Sequence, residues 1–207
     1  EVGASLSPAR WRDINTMTIS FGHGIAVSPI QMTEAVAALV NGGYRYPATL
    51  LKRSRTQMVR GAQVLSNKTS RQMRKLMRMG VANGTGRKAA VPGYQVGGKT
   101  GTAEKQVGGR YKKKTLISSF VASFPLSDPQ YVILVLVDEP KGNKRTHNYA
   151  TGGWVAAPVV QRVIERMAPI LGIMPIHDIE APKRAPTKLL SVTKASVSIR
   201  ERQFATR

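Results

Sequence analysis

The chain has 207 residues and a formal net charge of +21, from 32 Lys and Arg against 11 Asp and Glu. That length supports one domain or slightly more around a buried core. The complete lack of cysteine excludes disulfides, thiol catalysis and cysteine-based zinc sites. No run of about 18 apolar residues occurs, so no segment reads as a membrane-spanning helix.

The excess of positive charge suits a basic solvated face near a polyanionic neighbour. The basic residues are scattered and carry no finger, homeodomain or aromatic RNA-binding signature, so nucleic acid is not an expected partner. Glu1 is not a natural start and nothing beside it resembles a signal peptide, so the chain reads as a piece of a longer protein.

Residues 1–27 are mixed in character and carry a glycine-bracketed Ser20-Phe21-Gly22-His23-Gly24. A helix start follows, with Ser28 as N-cap, Pro29 at its first position and Gln31 closing a capping box. Met32, Val36, Leu39 and Val40 recur at helical spacing, and Asn41-Gly42-Gly43 ends the run. A polar, basic connector covers 44–65. A second helix is predicted over about 67–80, with Met73, Leu76, Met77 and Gly80 on its packing face.

Three strands are predicted next, over about 94–104, Thr115 to Phe124, and Gln130 to Val137. The last is a near-continuous apolar run of the kind covered on both faces. Ser127-Asp128-Pro129 makes a turn that joins the second and third strands as an antiparallel hairpin. Pro158 opens a helix whose stripe is Val159, Val160, Val163, Ile164 and Met167, and Pro169 should kink or end it. Residues 1–177 thus read as domain and 178–207 as a basic, disordered tail containing the linker-like Ala181-Pro182-Lys183-Arg184-Ala185-Pro186.

The stretch that carries chemistry is Val96-Gly97-Gly98-Lys99-Thr100-Gly101-Thr102-Ala103-Glu104. Read from Gly93, Gly-x4-Gly-Lys-Thr matches a phosphate loop, and Val132 to Glu139 mimics its metal-binding strand. A phosphate loop must leave a buried strand and enter a helix that faces the phosphates. Arg87 to Pro92 is no buried strand, and Gly101, Gly108-Gly109 and Lys112-Lys113-Lys114 leave no room for an amphipathic helix. The Gly84 to Ala89 string mimics a dinucleotide fingerprint but follows a helix, so it reads as a loop.

Read as Lys-Thr-Gly, the same residues make sense on an edge strand. Lys99 raises the local potential where a carboxylate sits, and the Thr100 hydroxyl can donate to it. Gly101 lets a peptide-like ligand lie close, and the Thr102 N–H can serve as an oxyanion donor. Lys-Thr-Gly is the third motif of penicillin-binding proteins and serine β-lactamases.

The surroundings extend the likeness. Ile19 to Gln31, Asn41-Gly42-Gly43, Gly84-Thr85-Gly86, Gly97 to Lys105, Val137-Asp138-Glu139-Pro140 and Gly152 to Val159 resemble class B penicillin-binding proteins, in family order. The resemblance covers roughly 1–175 and is closest to the division-specific septal type.

That resemblance implies an α/β penicillin-binding transpeptidase (serine β-lactamase-like) fold, an antiparallel sheet flanked by helices and present here only in part. It implies serine acyl transfer at D-Ala-D-Ala of peptidoglycan stem peptides, with β-lactams trapping the acyl-enzyme. Divisome membrane proteins are the implied partners, and the implied location is the bacterial inner membrane with a periplasmic catalytic domain. Catalytic candidates are Lys99, Thr100, Gly101 and Thr102, with Thr151 and Gly152 as substrate-binding candidates. No cofactor and no metal is implied.

The nucleophile motif Ser-x-x-Lys should precede Lys-Thr-Gly, with Ser-x-Asn between them. Ser-x-Asn is absent, and the only Ser-x-x-Lys is Ser191-Val192-Thr193-Lys194, out of order in the tail. The chain therefore reads as the C-terminal half of a transpeptidase domain, inactive by itself. A carboxypeptidase or β-lactamase of the same fold, a P-loop ATPase and a non-catalytic interaction module remain as alternatives. His23, His147 and His177 lack metal-ligand spacing, Lys112 to Lys114 with Arg110 read as a solvated loop, and Asp138 and Glu139 read as a strand end.

Overall fold

The computed structural model describes residues 7–20, 22, 24–52, 54, 61–107 and 110–176, with backbone alone at 106, 107 and 110–114. His23, His177 and the tail expected at 178–207 lie outside the described residues.

Helix α1 (Asp13–Ile19) buries none of its residues, and Trp11, Ile14 and Met17 beside and along it are exposed. It opens where the Asn15 carboxamide accepts the Arg12 N–H at 2.8 Å. Helix α2 (Pro29–Val40) starts as its sequence predicts. The Ser28 hydroxyl accepts the Gln31 N–H at 3.3 Å, and the Gln31 side chain accepts the Ser28 N–H at 2.8 Å. Its buried residues are Val36, Ala38 and Val40, whereas Met32, expected on the stripe, is exposed.

The expected connector at 44–65 contains a short antiparallel ladder, β1 (Tyr44–Arg45) with β2 (Ala62–Gln63). Helix α3 (Asn67–Ala82) is capped by Ser66, whose hydroxyl accepts the Thr69 N–H at 3.0 Å. Ser70, Met77 and Val81 are its buried residues, and Leu76 is 57% exposed, so the packing face is rotated from the predicted one. Arg78 spans the gap to the sheet by donating to the Val96 carbonyl at 2.9 Å.

Strands β3 (Gly97–Val107), β4 (Arg110–Phe124) and β5 (Tyr131–Asp138) form an antiparallel sheet in the order β3-β4-β5. β4 is central, and β3 and β5 are edges among the described residues. The predicted hairpin joins β4 to β5, with Phe124 opposite Tyr131 and Ile117 opposite Asp138. The basic run at 110–114 is strand, not loop. Arg110 and Tyr111 pair with Val107 and Gln106 through backbone groups, which charged side chains do not forbid. Register slips between Glu104 and Gln106, so that residues 112–115 of β4 face Lys105 alone.

Both sheet faces are covered. Phe120, Ala122 and Phe124 pack with Val160, Ile164 and Ala168 of α5 (Ala157–Ile170), joined by Ile133, Val135 and Val137 of β5. Val121 and Val132 point the other way, onto Val36 and Val40 of α2 and Met77 of α3. This two-sided cover explains the apolar run of β5, although its Leu136 is exposed. Pro169 lies one residue before the end of α5, where the Leu171 N–H closes on Met167.

Candidate functional site

The site forms where three segments meet at the β3 edge. The first is β3 itself, with Lys99 exposed, Thr100 and Gly101 half-buried and Thr102 exposed. The second is the turn at 84–86 leading into a single 3-10 turn (Arg87–Ala89), held in place by fully buried Ala89. The third is the one-turn helix α4 (Gly152–Val155), with Thr151 at its N-cap position. Gly152 opens this helix.

Strand alternation divides the motif. Thr100 and Thr102 share one face and line a cavity of about 430 Å³. Thr85, Arg87, Lys88 and Thr151 line it as well, and Trp154 forms a wall. Four hydroxyls and two cations therefore converge, and none of the lining residues is acidic. Such a pocket favours an anion with several acceptor oxygens. Lys99 and Gly101 are not among the lining residues. The Lys99 ammonium donates to the Thr100 carbonyl at 2.7 Å.

Thr102 has a task at its side chain as well as at its backbone. Its hydroxyl accepts the N–H of buried Gly152 at 3.1 Å, which ties the start of α4 to β3. Close packing there excludes side chains. A Cβ on Gly152 would lie 2.6 Å from the Gly101 carbonyl and would also overlap the Ser119 carbonyl. A Cβ on Gly101 would lie 2.5 Å from the Ser119 hydroxyl. Ser118, fully buried on β4, donates to the Ala150 carbonyl and anchors the segment that leads into Thr151.

The pocket wall is an aromatic stack. Trp154 lies against Tyr149 at 5.6 Å between ring centroids, and His147 meets it edge-on at 5.2 Å. The Lys88 ammonium sits 4.1 Å from the Trp154 ring centroid, a cation–π contact. Sequence reasoning singled out Thr85 only as part of a Gly-Thr-Gly string, and it missed Arg87, Lys88 and Trp154 as pocket residues. The one available signal was the spacing of Gly84-Thr85-Gly86 before Lys-Thr-Gly. Asp138 and Glu139 lie away from this cavity, and both pair with Lys105, at 2.8 and 3.0 Å.

The phosphate-loop alternative fails on geometry, because the chain after Thr100 continues as strand to Val107. The chain belongs to the penicillin-binding protein transpeptidase domain family, whose model matches residues 1–165. The helix-flanked antiparallel sheet is that of the penicillin-binding transpeptidase fold, present in part.

Among its relatives is a probable peptidoglycan D,D-transpeptidase FtsI of Caulobacter vibrioides, 45% identical over 182 residues, which are 84% of this chain and 31% of that protein. Stage V sporulation protein D of Bacillus subtilis is 41% identical over 172 residues, 78% of this chain and 26% of that protein. The apo transpeptidase domain of Burkholderia pseudomallei penicillin-binding protein 3 superposes with a TM-score of 0.71 at 38% identity, over 80% of this chain and 49% of that one. The chain thus spans about a third or less of the length of these two curated relatives and about half of the solved domain.

Proposed function

We propose that the chain is the carboxylate- and oxyanion-binding side of a serine-type peptidoglycan D,D-transpeptidase of the division-specific kind. The single observation that carries this reading is the Lys-Thr-Gly edge strand, whose Thr100 and Thr102 face a cavity with Arg87 and Lys88 and no acidic residue. The terminal carboxylate of a D-Ala-D-Ala stem peptide fits that chemistry, and so does the carboxylate of a β-lactam.

Acyl transfer needs a nucleophile, a base, a carboxylate anchor and an oxyanion donor. Thr100, assisted by the positive potential of Lys99, is the anchor. The Thr102 N–H is the oxyanion donor, placed on the strand that Gly101 lets the substrate approach. Thr151 adds a hydroxyl across the pocket. Gly152 acts beneath the surface, holding α4 against β3. The serine attacks the carbonyl of the D-Ala-D-Ala bond, D-Ala leaves with a proton, and an amine of a second stem peptide takes the acyl group. The serine and its lysine come from a Ser-x-x-Lys ahead of this chain, because Ser191-Val192-Thr193-Lys194 is on the wrong side of Lys99.

This reading puts the catalytic domain in the periplasm of a membrane-anchored bacterial protein, working beside other division proteins. Among the described residues no helix is long and apolar enough to cross a membrane. The test is labelling by a fluorescent penicillin followed by denaturing electrophoresis. The complete protein should carry the label and the 207-residue chain should not. A labelled chain that goes dark in Ser191→Ala would overturn the reading.

A further inference from the structure

Two threonine hydroxyls of the pocket are in contact with each other. The Thr85 and Thr100 hydroxyl oxygens are 2.8 Å apart, and either geometry of donor and acceptor fits. Thr85 is exposed and Thr100 half-buried, so both are reached from the cavity.

We propose that Thr85 is a positioning residue for Thr100, fixing where the Thr100 hydroxyl proton points. This inference rests on the carboxylate-anchoring role assigned to Thr100 above. A threonine hydroxyl has one proton to give and two lone pairs to accept with. If Thr100 gives its proton to a substrate carboxylate, it cannot also give it to Thr85. Thr85 must then be the donor to Thr100 in the ligand-bound state. The resulting relay runs from the Thr85 O–H to Thr100 and from the Thr100 O–H to the carboxylate. Each bond polarises the next, so the terminal donor is stronger than a lone hydroxyl.

The scaffold holds Thr85 where this relay needs it. The Gly86 N–H bonds back to the Gly80 carbonyl of α3 at 3.0 Å. The Thr85 carbonyl packs so closely on α4 that a Cβ on Gly153 would come within 2.5 Å of it, and the Thr100 methyl lies 3.5 Å from that same point. Thr85, Thr100 and Gly153 therefore form one packed unit, with the two hydroxyls at its open side. Residue 85 comes from the α3–β3 connection and residue 100 from β3, so folding has to bring them together across 15 positions.

The experiment is the rate of acylation of the complete protein by a penicillin, measured by stopped flow for wild type, Thr85→Val, Thr85→Ser, Thr100→Val and the Thr85→Val/Thr100→Val double variant. Loss of one neutral hydrogen bond sets the expected scale, a slowing of about 5- to 10-fold in Thr85→Val and less than about 2-fold in Thr85→Ser. In the Thr100→Val background Thr85→Val should add less than about 2-fold, because the group it serves is gone. Thr85→Ala also lacks the hydroxyl and supplies the same comparison if the valine variant does not fold.

Independent, multiplying losses from the two threonines would overturn the relay. So would a serine variant as slow as valine, which would mean that the methyl packing and not the hydroxyl matters. A wild-type protein that is not acylated at all would sink the transpeptidase reading itself, a result distinct from either of these.

Discussion

Thr100 and Thr102 stand two apart on one strand face, yet their side chains do different work. Thr100 reaches the cavity with its hydroxyl, and Thr102 uses its hydroxyl to accept the Gly152 N–H. Thr100→Val should slow acylation of the complete protein by about 10²-fold, the scale for losing a hydrogen bond made to developing or anchored charge. Thr102→Val should slow it less, because the proposed oxyanion donor is a backbone N–H that survives. It should instead lower stability by about 1–3 kcal/mol, since a buried N–H loses its acceptor. Thr102→Ser should restore that stability. Urea unfolding alongside stopped-flow rates separates the two effects, and a Thr102→Val protein of unchanged stability would contradict the assigned tie to α4.

Helix packing tests the difference between pattern and environment. Phe120 is fully buried between β4 and α5, so Phe120→Ala should cost about 3–5 kcal/mol through transfer and cavity terms. Leu76 sits on the predicted stripe of α3 but is 57% exposed, so Leu76→Ala should change stability by about 0.5 kcal/mol or less. Chemical denaturation of both variants checks the pair.

Where local chemistry decides an element, the sequence was readable. Ser28, Pro29 and Gln31 specify the start of α2 by bonds within four residues, and the structure contains both bonds. Lys99-Thr100-Gly101 could be read as an edge strand, and the structure has it on β3. The rest depended on distant packing. Thr85 meets Thr100 on β3, and Lys88 meets Trp154 of α4, 66 positions later, through contacts between separate elements. Helix α1 buries nothing, so it imposed no apolar period to detect. Lysines at 112–114 read as solvent-exposed loop because charge pattern reports solvation and says little about whether the backbone is extended.

The ion cluster at the far end of the sheet links its two edges. Lys105 of β3 reaches over β4 to Asp138 and Glu139, and the hydrogen bonds it donates, to Asp138 first and then to Glu139, raise its pKa above the usual lysine value. A raised pKa favours the fold while lysine is charged in both states. That contribution is complete below the ordinary lysine value, about 10.4, and is lost as pH climbs through the folded value. In the complete protein, NMR of carbon-labelled lysine should show Lys105 titrating above 10.5, and Asp138→Asn should bring it down. A Lys105 resonance that titrates below 10.5 would rule out the cluster in solution. All three groups are partly or largely solvent-exposed, so the cluster tunes the sheet edge more than it holds the domain together.

Taken whole, the chain presents half a cleft. Its cavity carries the proposed carboxylate anchor, while Trp11, Ile14, Met17, Ile30 and Met32 leave apolar surface on and around α1 and α2. Apolar area of this kind is characteristic of an interface. Recognition without attack is therefore the expected behaviour of the isolated chain, matching the predicted lack of covalent penicillin labelling. Wild-type complete protein and its Ser191→Ala variant should label equally, which gel fluorescence reads directly.

The register slip opposite Lys105 has an evolutionary consequence. From Gly97 to Glu104 the β3–β4 ladder keeps one register, and beyond the slip it keeps another. Extra length in β4 is absorbed at that point like slack taken up at an expansion joint. Thr100 and Thr102 therefore stay opposite Phe120 and Ser118 whatever happens further out. The hairpin end is free to lengthen, shorten or change charge among descendants without moving the residues of the proposed carboxylate anchor. Deleting a residue from the stretch 112–115 should leave penicillin acylation of the complete protein within about 2-fold, whereas a deletion between 116 and 123 should abolish it by carrying alternate side chains to the wrong face.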